Sequence, residues 1–108
     1  MLSAQEKTIL KEFKTNLEQV LGHQLIELKL FGSKARGDDQ ADSDVDVLVI
    51  VGSDDWHLRD KIYDVATDIL LQVDVCISPK VISKSRFVQL CNEGTSFIHN
   101  VSKDALTI

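Results

Sequence analysis

Two aspartates, Asp44 and Asp46, stand at alternate positions at the head of the apolar run DVDVLVIV. β-Branched residues dominate this run, which predicts a strand from Asp44 to Val51 that is apolar on both faces beyond Asp46. Alternate residues of a strand share a face, so the two carboxylates point the same way, about 6.5–7 Å apart. Burying two like charges is costly without a compensating cation, and hard divalent cations prefer carboxylate oxygens. The pair therefore predicts a divalent-metal site.

A third aspartate, Asp74, stands between two valines in the segment LQVDVCIS. We predict this segment as a strand from Leu71 to Ser78 that Pro79 ends. If that strand lies beside the strand of Asp44, all three carboxylates converge, and such a group can hold two Mg²⁺ ions about 3.5–4 Å apart for phosphoryl or nucleotidyl transfer. Taken singly, Asp44 or Asp74 could instead be an ordinary charge at a strand boundary or edge.

A Gly-Ser turn follows the apolar segment that precedes the aspartates. Gly32 allows close approach of a ligand to the backbone, and the amides after it, with the Ser33 hydroxyl, can cradle phosphate oxygens. The spacing is not that of a Walker A loop. Two interpretations of Arg36 stay open, a phosphate contact or an ion pair with Asp38 or Asp39.

Alternate aspartates also occur in EF-hand calcium loops, but that interpretation fails here. A loop beginning at Asp42 would need Gly at its sixth position and Glu at its twelfth. Those positions hold Val47 and Ser53. The β-branched run that follows is also a poor exiting helix, so we reject calcium-loop binding.

The elements that position these residues follow from apolar spacing and capping signals. A capping box at Ser3 and Glu6 begins the first helix. The predicted elements are a helix Ala4–Leu21, strands Leu25–Phe31 and Asp44–Val51, a helix from Trp56 to Leu70, the strand Leu71–Ser78, a helix Ser83–Cys91 and a short helix Thr95–Val101. This order predicts an α/β sandwich, a small mixed sheet flanked by helices, in one domain over residues 1–108.

Composition narrows the function classes. The 108 residues are 44% hydrophobic with a net charge of −5, which suits one core and disfavours long nucleic acids as ligands. No apolar run could span a membrane and no secretory signal is visible, so we expect a cytoplasmic protein. We expect Cys76 and Cys91 to be buried thiols rather than a disulfide or a metal pair, and the three histidines show no zinc-ligand spacing.

The segment FGSKARGDDQADSDVDVLV resembles the signature of the nucleotidyltransferase superfamily that includes DNA polymerase β. The Gly-Ser-x-Ala-Arg-Gly and Ser-Asp-x-Asp forms resemble its minimal nucleotidyltransferase branch, best known in prokaryotes. The matching residues are Phe31, Gly32, Ser33, Asp44, Val45, Asp46 and Val47. The resemblance implies a polymerase β-like fold.

The resemblance also implies roles for single residues. Gly32 and Ser33 would bind the triphosphate of ATP, and Asp44 and Asp46 would hold two Mg²⁺ ions. Asp74, at the family's third acidic position, would hold one metal ion and help to deprotonate the acceptor. The acceptor oxygen would attack the α-phosphorus, and pyrophosphate would leave.

The nature of the partner also follows from the resemblance, since 108 residues leave little room for an acceptor-binding domain. The chain is similar to antitoxins that pair with HEPN-domain ribonuclease toxins and adenylylate a toxin tyrosine. Two alternatives stay open: a non-catalytic antitoxin that acts by occlusion, and a homodimeric nucleotidyltransferase for small molecules such as antibiotics.

A few apolar side chains have two interpretations each. Trp56 is expected in the core or at an interface, and Tyr63 as a partly exposed helical tyrosine. Leu106 and Ile108 are expected either against the protein's own sheet or at a partner interface.

Overall fold

The computed structural model describes residues 3–32, 44–96, 99, 101 and 105–108. Its elements are helix α1 (Ala4–Leu21), a 3₁₀ turn (Gly22–Gln24), strands β1 (Leu25–Phe31) and β2 (Val45–Val51), helix α2 (Trp56–Val73), strand β3 (Ile77–Ser83), helix α3 (Lys84–Glu93) and strand β4 (Leu106–Thr107). Residues 33–43, predicted as a turn and loop, lie outside the described residues, as does part of the short helix predicted over residues 95–101.

The strands form one mixed sheet in the order β3-β2-β1-β4. Strand β1 pairs antiparallel with β2 on one side and with β4 on the other, while β2 and β3 are parallel. A parallel pair needs a long crossover, which α2 provides. The predicted α/β sandwich with a small mixed sheet is confirmed.

Helix α1 begins and ends where its capping residues predict. The Ser3 hydroxyl accepts a hydrogen bond from the Glu6 amide at 3.1 Å, and the Glu6 carboxylate accepts one from the Ser3 amide at 2.9 Å. Gly22 ends the helix at φ 57°, a conformation that favours glycine.

Strand β2 is the centre of the core because both of its faces are covered. Its four valines join the larger apolar cluster with α1 and α2, while Leu48 and Ile50 on the other face pack against Phe87 of α3 and Val101. Residues 47 to 50 are fully buried. The Asp46 carboxylate, and that of Asp44 just before the strand, are therefore attached to a densely packed strand of the core.

The predicted strand Leu71–Ser78 is wrong. Helix α2 continues through Val73, and Asp74 is its C-terminal cap in the left-handed conformation, with its amide donating to the Leu70 carbonyl at 3.0 Å. The alternation of LQVDVCIS resembles a strand, but Leu71 is 80% exposed as a helical surface residue. Pro79 lies inside β3, where an edge strand tolerates it, because a proline there need not donate to the ladder.

The last described residues add a strand that the sequence did not predict. Leu106 and Thr107 form β4 beside Leu30 and Lys29, and the Ile108 amide donates to the Leu28 carbonyl at 3.1 Å. The segment therefore docks on the protein's own sheet, where Ile108 packs against the core while the Leu106 side chain is 54% exposed.

Three expectations about single side chains can be compared with the fold. Cys76 and Cys91 are free, as expected, but both are exposed rather than buried. Trp56 is 63% exposed, which excludes core packing, and Tyr63 is 44% exposed, as expected. Among the described helices, none is long and apolar enough to cross a membrane.

Candidate active site

The end of β1 and the starts of β2 and β3 lie side by side at one end of the sheet. The last residue of β1, Phe31, is paired with Asp46 near the start of β2, and Asp46 is paired in turn with Ser78 near the start of β3. Asp44 immediately precedes β2. This end of the sheet therefore collects polar side chains from the starts of β2 and β3, next to Gly32.

The two aspartates of β2 differ in exposure. Asp44 is exposed, whereas Asp46 is half-buried. The alternation of the strand places both on the face of Leu48 and Ile50, away from the valine cluster. One carboxylate therefore faces solvent while the other is partly enclosed by its neighbours.

Gly32 lies directly against the Asp46 side chain. Its backbone has φ 77°, in the left-handed region. A methyl group built on its α-carbon would lie 3.1 Å from the Asp46 Cγ and 3.2 Å from its Cβ, and would overlap the carboxylate oxygen Oδ2. The carboxylate thus fills the space that a larger residue at position 32 would need.

Asp74 does not lie on the strand next to β2, as the sequence analysis expected. It is an exposed residue at the end of α2, and three residues separate it from Ser78, the β3 residue that pairs with Asp46. Because Asp74 is not on a strand, strand alternation does not bring it onto the same face as Asp44.

Cys76 and Ser78 are the residues that the sequence analysis missed. The Val45 amide donates to the Cys76 carbonyl at 2.9 Å, which fixes the start of β2 against the segment leading into β3. Partial desolvation raises the pKa of the Cys76 thiol, and the charge of Asp44, a hydrogen bond to Asp44 and the charge of Asp46 raise it further. The sequence pattern did not indicate that the strand beside β2 begins at Ile77, and only that register brings Cys76 and Ser78 to the site.

The described donors fit a divalent metal that shares its coordination with a substrate. Within the part of the chain that the structure describes, no group of three or more His, Cys, Asp or Glu side chains could hold a metal ion. The candidate ligand set is therefore the oxygen atoms of Asp44 and Asp46. Mg²⁺ is commonly bound by one or two carboxylates together with substrate phosphates and water, so two carboxylates suffice. Ser33 and Arg36 lie outside the described residues.

Solved structures share this fold. A nucleotidyltransferase of Sulfolobus solfataricus matches 93% of this chain and 76% of its own with a TM-score of 0.59 at 20% sequence identity. A toxin–antitoxin solved with AMP-PNP matches 90% of this chain and 70% of its own at TM-score 0.52 and 17% identity. A mutant of the toxin–antitoxin MntA–HpeT matches 92% and 70% at TM-score 0.51 and 16% identity. At these identities the likeness concerns the fold alone.

Sequence comparison finds nearer relatives. Two proteins of Methanocaldococcus jannaschii, both named as protein adenylyltransferases, are similar to this chain. One is 40% identical over 78 residues, covering 71% of this chain and 79% of its own length. The other is 36% identical over 99 residues, covering 92% and 93%. The family model of the polymerase β nucleotidyltransferases matches residues 7–108. With nearly the whole chain matched, and with the fold agreeing, this protein belongs to the polymerase β nucleotidyltransferase family.

Proposed function

We propose that this chain transfers AMP from ATP to a hydroxyl group of a partner protein, using a divalent metal held by Asp44 and Asp46. The observation that carries the proposal is the pair of carboxylates on one face at the start of β2, with Asp46 seated against the Gly32 backbone. Two relatives named as protein adenylyltransferases support a protein as the acceptor.

In the proposed reaction, a bond forms between the acceptor oxygen and the α-phosphorus of ATP. The bond from that phosphorus to the oxygen bridging to the β-phosphate breaks, pyrophosphate leaves, and the hydroxyl proton passes to solvent. We propose that two Mg²⁺ ions bind. When bound, they would lower the pKa of the acceptor hydroxyl and offset negative charge at the phosphate.

The chain's own residues would hold and orient the reactants. Asp44 and Asp46 supply oxygen ligands, and the packed strand β2 keeps their spacing fixed. Ser33 and Arg36 follow Gly32 in the sequence, and we propose that the Ser33 hydroxyl, Arg36 and backbone amides of this segment bind the triphosphate. The proposal rests on Asp44 and Asp46. The resemblance implied Asp74 as a third ligand, but its place at the end of α2 gives that role no geometric support.

We further propose that the partner is a toxin, in particular a HEPN-domain ribonuclease, and that the acceptor is a tyrosine of that toxin. The fold likeness to two toxin–antitoxin structures supports a toxin, and one of those was solved with an ATP analogue. In this proposal the chain acts as the antitoxin in the cytoplasm and inactivates its partner by covalent modification.

The test is to incubate the chain with ATP labelled at the α-phosphate, Mg²⁺ and the purified product of the adjacent gene. Label should move to the partner, and the double variant Asp44→Asn, Asp46→Asn should neither transfer label nor neutralise the toxin. Asp68→Asn, an exposed aspartate on α2, is the matched control and should behave like wild type.

Two results would replace the proposal with another function. Full neutralisation by the double variant, with no label transferred by the wild-type chain, would indicate an antitoxin that acts by binding alone. Label transfer to an antibiotic or metabolite without any protein partner would indicate a small-molecule nucleotidyltransferase.

A further inference from the structure

We infer that Gly32 is a positioning residue for Asp46: the missing side chain at position 32 is what allows the Asp46 carboxylate to take the orientation of a metal ligand. This inference deepens the proposed function and rests on it for the metal. It differs from the role expected of Gly32 in the sequence analysis, which was to bring backbone amides close to phosphate.

The four described glycines differ in what a methyl group on the α-carbon would contact. Of the four described glycines, Gly22 and Gly94 also have positive φ, at 57° and 64°, but a methyl group on either would meet nothing within 4 Å. At Gly52 the methyl group would meet the Gln24 Oε1 at 2.9 Å, which is the far end of a flexible side chain. Gly32 alone among these four combines positive φ with contact against a proposed ligand.

The backbone of Asp46 is held too firmly to move away from a side chain at position 32. Its backbone is paired on one side with Phe31 of β1 and on the other with Ser78 of β3. Its neighbours Val45 and Val47 are buried in the core, so a shift of the strand would disturb packing on the opposite face. A methyl group at position 32 would therefore be relieved mainly by rotating the Asp46 side chain, which moves its oxygen atoms.

The positioning role and the phosphate role predict different defects in Gly32→Ala. The methyl group of alanine would keep phosphate away from the backbone, so a glycine that serves only to let phosphate approach would cost nucleotide affinity on substitution and leave metal affinity unchanged. A positioning role predicts the reverse order, in which metal binding weakens even when no nucleotide is present. Metal affinity without nucleotide therefore separates the two roles.

The steric claim can be tested without metal or activity by a double-mutant cycle read as Tm. Gly32→Ala should lower Tm by at least about 4 °C more than Gly94→Ala does. Both substitutions strain a backbone with positive φ, but only the methyl group at position 32 would clash with a side chain, that of Asp46. In the Asp46→Ala background this excess should shrink or vanish, since the clashing carboxyl group is gone. An excess of equal size in both backgrounds would overturn the inference.

The cycle stays informative if Gly32→Ala alone fails to fold. Folding of the double variant Gly32→Ala, Asp46→Ala would then support the inference, because removing the carboxyl group would have relieved the clash. A double variant that is also unfolded would contradict it.

Binding of Mn²⁺ to the nucleotide-free chain, followed by electron paramagnetic resonance, tests the consequence for the metal site. We expect Gly32→Ala to raise the Mn²⁺ dissociation constant by about tenfold or more, as loss of a group that orients a ligand does, with Gly94→Ala unchanged. Equal binding by wild type and Gly32→Ala would overturn the positioning role alone. Wild-type binding that appears only with a non-hydrolysable ATP analogue would overturn the positioning role in the nucleotide-free site and leave the proposed function standing. No binding by the wild-type chain with or without the analogue would overturn both.

Discussion

Asp46 is the most constrained polar residue of the site. Phe31 and Ser78 flank it within the sheet, and the bare α-carbon of Gly32 lies against its carboxyl group. Asp44 precedes the first residue of β2 and is exposed. At the scale of single residues, the site thus consists of one fixed and one freer carboxylate.

Asp74 provides the sharpest comparison with these two. We expect Asp46→Asn to slow label transfer by more than about 100-fold, since loss of a group that merely orients a ligand already costs about 10–100-fold in affinity or activity. Asp74→Asn should retain at least about half of the wild-type rate, because asparagine also tolerates the left-handed conformation at a helix end. The measurement is the single-turnover rate with saturating ATP. An equal loss in the two variants would place Asp74 in the metal site after all.

Cys76 reports on the charge of the site in the metal-free chain. Because desolvation and the neighbouring carboxylates raise its pKa, less thiolate forms at a given pH, and its alkylation profile should lie at higher pH than that of a free thiol. Asp44→Asn removes one of these negative charges, so the profile should move to lower pH. The experiment is iodoacetamide labelling in EDTA, read by peptide mass spectrometry.

The exposed thiol of Cys91 on α3 serves as the internal control for that experiment. Its labelling should not respond to Asp44→Asn. If the Cys76 profile also failed to move, the thiol and the Asp44 carboxylate would not interact in solution.

At the scale of elements, two features follow from short-range pattern. Helix α1 has the predicted bounds because its capping box and its terminal glycine act within a few residues. The alternation in β2 likewise places Asp44 and Asp46 on one face without any knowledge of the sheet. These two features could be predicted because local chemistry alone decides them.

Strand β3 could not be predicted in this way. Alternation in LQVDVCIS fits a strand, yet the helical phase of Ile62, Val65, Ala66 and Ile69 carries the helix on to Val73, and the sheet's edge then accepts Pro79. Which segment pairs with β2 depends on where α2 returns the chain, a property of the tertiary structure. The mistaken strand placed Asp74 in the predicted site and left Cys76 and Ser78 out of it.

Helix α3 offers a test of a single cap. The buried hydroxyl of Ser83 accepts a hydrogen bond from the Arg86 amide at 3.2 Å. Ser83→Ala should lower the free energy of unfolding by about 1 kcal/mol, measured from urea denaturation. Ser85→Ala removes only the 3.3 Å hydrogen bond between the Ser85 and Ser83 hydroxyls and keeps the cap, so it should cost clearly less. Equal effects would show that the cap contributes little to stability.

At the scale of the whole molecule, the fold separates stability from chemistry. Phe13 on α1 is fully buried in the valine-lined cluster on the face of the sheet opposite to that of Asp46. Phe13→Ala should destabilise the protein by about 3–5 kcal/mol. That is a large part of the ~5–15 kcal/mol typical of a domain.

The same variant should retain near-normal label transfer well below its lowered Tm. Thermal unfolding followed by circular dichroism gives the stability, and the transfer assay at low temperature gives the activity. Loss of transfer in the still-folded Phe13→Ala protein would show that packing of α1 reaches the site across the sheet.

We propose that Asp44 and Asp46 hold a divalent metal for transfer of AMP to a protein partner. The most direct test is intact-mass spectrometry of the toxin encoded beside this chain, after incubation with the chain and ATP in Mg²⁺ or in EDTA. The account predicts that the toxin gains the mass of one or more AMP units only with Mg²⁺, on a tyrosine by peptide mapping, and that Asp68→Asn modifies it while Asp46→Asn does not. An unmodified toxin in the presence of Mg²⁺, or the same adduct formed by the Asp46→Asn chain, would contradict it.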